Sequence, residues 1–186
     1  MKCALTNTRT GEKAVYPTTV EISDDGENYV FKFEAEQTKC YCPFSTEYNK
    51  IHSYGDACEI LIGNDPERKT YYEIEINPLG GLMLAKMTYC GIGNPQTLAP
   101  KLDVAFVSEE DSFVTGEAEI TEKGYRATLK VQKDKIRTGD GEVYFNAYRL
   151  ETDGGEANKH LFALSPTMGN WFHKPDRYVF IQEFVK

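Results

Sequence analysis

The sequence contains no apolar run approaching the ~18 residues that a bilayer-spanning helix needs. Its opening stretch, Met1 to Thr10, lacks the apolar centre of a signal peptide. The expectation is therefore a cytoplasmic protein, or a secreted one if the native start lies upstream. Positive charge is short: 21 Lys and Arg stand against 29 Asp and Glu, a net charge of −8, with a pI near 5.0. Phosphate backbones and anionic lipid surfaces attract the opposite balance, which excludes nucleic acid and polybasic membrane attachment as partners. The three histidines, His52, His160 and His173, are dispersed. There is no His-Glu-x-x-His, no Gly-x-Ser-x-Gly and no phosphate-cradling glycine loop, so no standard enzyme motif is present. The five cysteines, Cys3, Cys40, Cys42, Cys58 and Cys90, are odd in number, contain no CxxC and read as reduced thiols. Repeats, low-complexity tracts and linkers are also missing, which makes residues 1–186 one domain.

What is present is alternation. Phe31, Phe33 and Ala35 alternate with Lys32, Glu34 and Glu36, and Tyr72, Ile74 and Ile76 alternate with Glu73, Glu75 and Asn77. Cys58, Ile60 and Ile62 flank Glu59, while Val143, Phe145 and Ala147 alternate with Tyr144, Asn146 and Tyr148. A period of two over short segments marks half-buried strands. Turn clusters such as Asp24-Asp25-Gly26, Gly63-Asn64-Asp65-Pro66 and Asn77-Pro78-Leu79-Gly80-Gly81 separate them. Strands are expected near 14–22, 28–37, 57–62, 70–77, 81–88, 102–107, 112–120, 124–131, 142–150 and 177–184. With no helical stripe and no βαβ alternation, the fold class is all-β: an antiparallel, jelly-roll-like sandwich. Val143, Phe145, Ala147, Ile60, Ile74, Ile76 and Leu129 are expected between its sheets. Tyr72, which shares a face with Ile74 and Ile76, is expected in the core as well.

Two segments carry chemistry. The first runs from Gly55-Asp56-Ala57-Cys58-Glu59-Ile60-Leu61-Ile62 to Tyr71-Tyr72-Glu73-Ile74-Glu75-Ile76-Asn77-Pro78-Leu79-Gly80. The second holds Phe145-Asn146-Ala147-Tyr148-Arg149, then Ser165-Pro166, then Trp171-Phe172-His173-Lys174-Pro175-Asp176-Arg177-Tyr178. In that order and spacing, over roughly residues 14 to 184, they resemble the family 9 carbohydrate-binding modules. The resemblance implies a jelly-roll sandwich of the kind shared with DOMON-like domains, and non-catalytic binding of a mono- or oligosaccharide by a stand-alone module. It places Glu59 where the family has a hydroxyl-binding carboxylate, Tyr148 at a polar strand position and Phe172, beside Trp171, at an aromatic plate. A second plate falls at Ser53, with Tyr54 or His52 as the nearest ring, while Glu75 and Asn158 stand where sugar-contacting arginines are found.

Alternatives accompany these residues. Trp171 reads as a sugar platform or a core plug, and Arg149 as a ligand contact or as the ion-pair partner of Glu59. His173 reads as a site residue or as a cap on the following turn. Asp24-Asp25-Gly26-Glu27 and Asp153-Gly154-Gly155-Glu156 offer hard oxygen ligands for a structural calcium, or are ordinary acidic turns. Two other functions compete: a glycosidase-like enzyme using Glu59 with a second acid, and a haem carrier using Met83, Met87 or Met168 with His160 or His173. Met83 and Met87 share one strand face, which suits packing better than haem ligation.

Overall fold

In the computed structural model, residues 1–37, 39–44, 46–51, 55–138, 141–155 and 159–185 are described. The strands in chain order are β1 (Lys2–Ala4), β2 (Thr6–Asn7), β3 (Thr18–Asp24), β4 (Asn28–Glu36), β5 (Ala57–Gly63), β6 (Thr70–Ile76), β7 (Leu82–Asn94) and β8 (Ala99–Phe106). They continue with β9 (Val114–Thr121), β10 (Gly124–Gln132), β11 (Tyr144–Glu151), β12 (His160–Ala163) and β13 (Val179–Phe180). A single helical turn, Lys133–Ile136, follows β10. One sheet has the order β1-β3-β4-β10-β9 and the other β2-β12-β11-β5-β6-β7-β8, with β13 pairing on β11. The pairings are antiparallel, and the chain is a β-sandwich. Among the described residues, no helix is long and apolar enough to cross a membrane.

The two inner faces form the main core. Val143, Phe145, Ala147, Ile60, Ile74, Ile76 and Leu129 are all buried in it, packed against Val20, Ile22, Phe31 and Phe33 of the smaller sheet. Tyr72 is only half-buried; it packs against this core and meets Phe113 edge-on at 4.9 Å. All five cysteines are free thiols.

Several boundaries differ from the periodic reading. β3 begins at Thr18, directly after Pro17, whose ring cannot donate to the ladder. The β7–β8 pair runs on as a long arm to Asn94 and Ala99, with register shifts beyond Tyr89. The expected strand at 177–184 is instead a two-residue strand between 3-10 turns at Pro175–Arg177 and Ile181–Glu183.

The larger sheet is also covered on its outer face. Leu61, Tyr71, Met83, Ala85, Met87, Tyr144, Tyr148 and Tyr178 form a second apolar cluster there, which gives Met83 and Met87 a packing role. Arg68 fastens the C-terminal segment over this face by donating from Nη1 to the Tyr178 carbonyl at 2.9 Å.

The entry to β5 is held by a buried polar relay. Gly55 has φ +89°, and a Cβ there would lie 2.3 Å from the Tyr41 carbonyl oxygen, so only glycine fits. Asp56 follows and accepts from Thr152 Oγ1 at 2.7 Å, from the Tyr41 amide at 2.7 Å and from Gln37 Nε2 at 2.8 Å. The Gln37 side-chain oxygen in turn accepts from Arg149. Arg149 also donates to Thr18 Oγ1 at 2.7 Å and to the Glu36 carbonyl at 2.9 Å. Arg149 is fully buried on the inner face of β11, away from Glu59. It is neither a ligand contact nor the partner of Glu59, because both terminal nitrogens of its guanidinium donate to neutral oxygens and, through Gln37, link it to Asp56. Replacing Arg149 by Met would strand those acceptors in the core; we expect a loss of about 3 kcal/mol or more, read as a lowered midpoint in urea unfolding. An unchanged midpoint would contradict the relay.

Candidate functional site

Register brings the acidic residues together. Glu59 of β5 lies between Tyr148 of β11 and Glu75 of β6, and Leu61 is paired with Glu73. Since alternate residues share a side, Glu59, Glu73, Glu75 and Tyr148 all face outward. One carboxylate oxygen from each of Glu59, Glu73 and Glu75 lies within 4.8 Å of the other two, and all three residues are buried. Like charges directly opposite on neighbouring strands repel. Burial, and then the proximity of Glu73 and Glu75, pushes the Glu59 carboxyl well above the usual carboxylate range.

These glutamates form the floor of a cleft of about 470 Å³. Ala57, Leu150 and Leu161 extend the floor with an apolar strip, and Ala99, Pro100 and Leu102 of the β7–β8 arm form one wall. The other wall is the segment Asn170-Trp171-Phe172-His173, and Lys159 stands at the rim.

Trp171, Phe172 and His173 are each held in place. Phe172 stacks on Tyr148 with ring centroids 4.2 Å apart and planes 18° off parallel. Tyr148 donates from its hydroxyl to the Phe172 carbonyl at 2.8 Å and accepts from Asn146 Nδ2 at 2.8 Å. Asn146 also donates to the Ser165 carbonyl and accepts from the Ser165 amide, so it ties the loop to the strand. Trp171 is 42% exposed, and its indole N–H donates to the Thr97 carbonyl at the tip of the arm, 3.1 Å away. His173 Nδ1 is 3.0 Å from the Tyr71 hydroxyl, and its Nε2 is 3.5 Å from Glu73 Oε1.

Of the residues expected in the site, Glu59, Glu75, Trp171, Phe172 and His173 line the cleft. Tyr148 does not: it is fully buried under Phe172, and burial pushes its hydroxyl pKa well up. Its part is to position the wall, because its strand parity points it at the cleft while Phe172 seals it. Arg149 lies on the other side of the sheet, as described above. Tyr54, His52, Ser53 and Asn158 lie outside the described residues. Glu73, Lys159 and Asn170 line the cleft as well. Glu73 is two positions from Glu75 and so on the same face.

The acidic turns are occupied internally. Asp24 accepts from Lys133 Nζ at 2.6 Å, and Asp25 accepts from the Asn28 amide at 2.7 Å. Asp153 accepts from the Tyr16 hydroxyl at 2.7 Å.

No family model and no curated protein matches this chain. Solved structures do match it in fold. A protein of Bacteroides uniformis, described as a candidate carbohydrate-binding protein, superposes with a TM-score of 0.72 at 13% identity, over 96% of this chain and 84% of that one. A family 9 carbohydrate-binding module of Caldicellulosiruptor kristjanssonii, solved with glucose, gives a TM-score of 0.62 at 10% identity, over 95% and 82%. Its complex with cellotriose gives 0.61 at 11%, over 95% and 80%. The chain therefore has the sandwich fold of these proteins.

The cluster fixes the sign of a pH effect. An acid with a raised folded pKa contributes its full stability below its unfolded value and loses it as the pH rises through the folded value. In EDTA-containing buffer, Glu59→Gln should therefore match the parent near pH 4 and become the more stable protein as the pH climbs above the ordinary Glu value, about 4.3. Thermal melts from about pH 4 to about pH 9 check this. A variant less stable throughout would mean that the ionised carboxylate has a favourable partner.

Proposed function

We propose that the chain is a non-catalytic carbohydrate-binding protein that takes a mono- or oligosaccharide end into the cleft between Trp171 and the glutamate floor. One observation carries the reading: a half-exposed indole, pinned by its N–H, shares the lining of a cleft of about 470 Å³ with three glutamates. A pyranose has an apolar C–H face that stacks on a ring and a hydroxyl edge that needs acceptors and donors. Carboxyl oxygens accept from hydroxyls in either protonation state and fix their orientation. Pockets of roughly 300–1,000 Å³ suit small ligands, so the cleft has room for one or two sugar rings. The fold likeness to modules solved with glucose and cellotriose supports the same reading.

In this reading Trp171 is the stacking plate, and Phe172 and Tyr148 are the rigid backing behind it. Glu59 and Glu75 receive the hydroxyls, and His173 orients Glu73. Hydrolysis has less support. A glycosidase pair flanks the scissile bond with its carboxyl groups roughly 5–9.5 Å apart, whereas these glutamates stand side by side on one sheet surface.

Calorimetric titration with a panel of mono- and oligosaccharides tests the proposal. Saturable binding is expected, weakened by about 1 kcal/mol, roughly fivefold in Kd, in Trp171→Ala. Aryl glycosides should remain unhydrolysed. A panel without a binder, or binding untouched by loss of the indole, would overturn the proposal.

A further inference from the structure

The glutamate floor is denser in acceptors than sugar hydroxyls require. One oxygen each from Glu59, Glu73 and Glu75 lies within 4.8 Å of the others. Opposite ligands of one calcium ion, each at about 2.3–2.6 Å, stand roughly 4.6–5.2 Å apart. Three oxygens this close can share a single ion through small side-chain adjustments, without strand movement. The strands also fix the donors, since Glu59 and Glu75 are direct cross-strand partners.

A second observation points the same way. Glu59 is 5% exposed and lines the cleft, yet its Oε1 has no hydrogen-bond partner among the described residues. A buried carboxylate oxygen without a donor is costly, and a cation at that point removes the cost. From the other elements around the cleft, His173 approaches Glu73 at 3.5 Å and Lys159 stands at the rim.

We propose that Glu59, Glu73 and Glu75 hold one hard divalent cation of calcium's size, with its remaining coordination positions open to the cleft. An all-oxygen, all-carboxylate donor set selects hard cations over zinc or copper. The site is distinct from the acidic turns at 24–27 and 153–155, where Asp24, Asp25 and Asp153 are engaged within the chain. It stands on the carboxylate geometry and the unpartnered Glu59 oxygen, and does not depend on the sugar reading.

The test is thermal unfolding of EDTA-stripped protein, titrated with CaCl2 and, separately, with NaCl at matched ionic strength. Calcium should raise the melting temperature saturably, by roughly 5–10 °C at a hundredfold excess over Kd, while sodium should not. Glu59→Gln and Glu75→Gln, which relieve repulsion, should fold and melt no lower than the stripped parent, yet bind calcium at least tenfold more weakly. Two results would overturn the site: no calcium-specific shift in the parent at millimolar calcium, or an equal shift in both variants, which would put the ion elsewhere. Saccharide titration with and without calcium separates this proposal from the previous one. Sugar binding in EDTA with no calcium response sinks the cation site and leaves the sugar reading standing. A calcium response without sugar binding does the reverse.

Discussion

Strand β5 is buried along its whole length, on both faces, and the chemistry of the cleft follows from that. Its inner face, Cys58, Ile60 and Ile62, packs against the smaller sheet. Its outer face would lie open in a simple two-layer sandwich. Here the C-terminal segment closes over much of it, so Glu59 is buried beside Tyr148, Glu73 and Glu75 rather than bathed in water. Burial raises the energy of the ionised form, and two further glutamates raise it again. The protein meets two of its buried ionisable side chains, Arg149 and Glu59, in different ways. Arg149 donates from both terminal nitrogens to fixed acceptors and is sealed in the core. Glu59 keeps one oxygen without a partner and faces a cleft, which leaves the missing partner to come from outside.

The roof over β5 is assembled by a short series of polar and aromatic links. Asn146 ties Ser165 to the strand, Tyr148 bonds the Phe172 backbone and stacks on its ring, and Tyr71 meets His173. The tip of the β7–β8 arm then takes the indole N–H of Trp171. Tyrosines on the outer face of the large sheet thus serve as posts that set the height and tilt of the aromatic wall. A wall built this way is rigid before any ligand arrives, which lowers the entropic cost of binding.

Much of this architecture was legible because alternation is a strong signal in strands of seven or more residues. The inward set of Ile60, Ile74, Ile76, Phe145 and Ala147, and the outward position of Glu59, Glu73 and Glu75, follow from parity. Strands of two to four residues, such as β1, β2 and β12, carry too few alternations to register. Parity also gives a face but not a depth. Tyr148 points outward as read, yet Phe172, 24 positions later, buries it. Arg149 was the odd charge on an apolar face, and the oxygens that satisfy it, on Thr18, Glu36 and Gln37, come from the opposite sheet and the loop after it. Contacts over more than a hundred residues leave no local trace in a sequence.

The central claim is that the cleft between Trp171 and the glutamate floor is where a saccharide binds. Trp171 is the chain's one tryptophan, so intrinsic tryptophan emission reports on that cleft alone. Titrating a saccharide that binds by calorimetry should shift the emission to the blue, saturably and with the same Kd, as a sugar ring displaces water from the indole. Calorimetric binding that leaves the emission unchanged would place the sugar elsewhere on the protein and contradict the account.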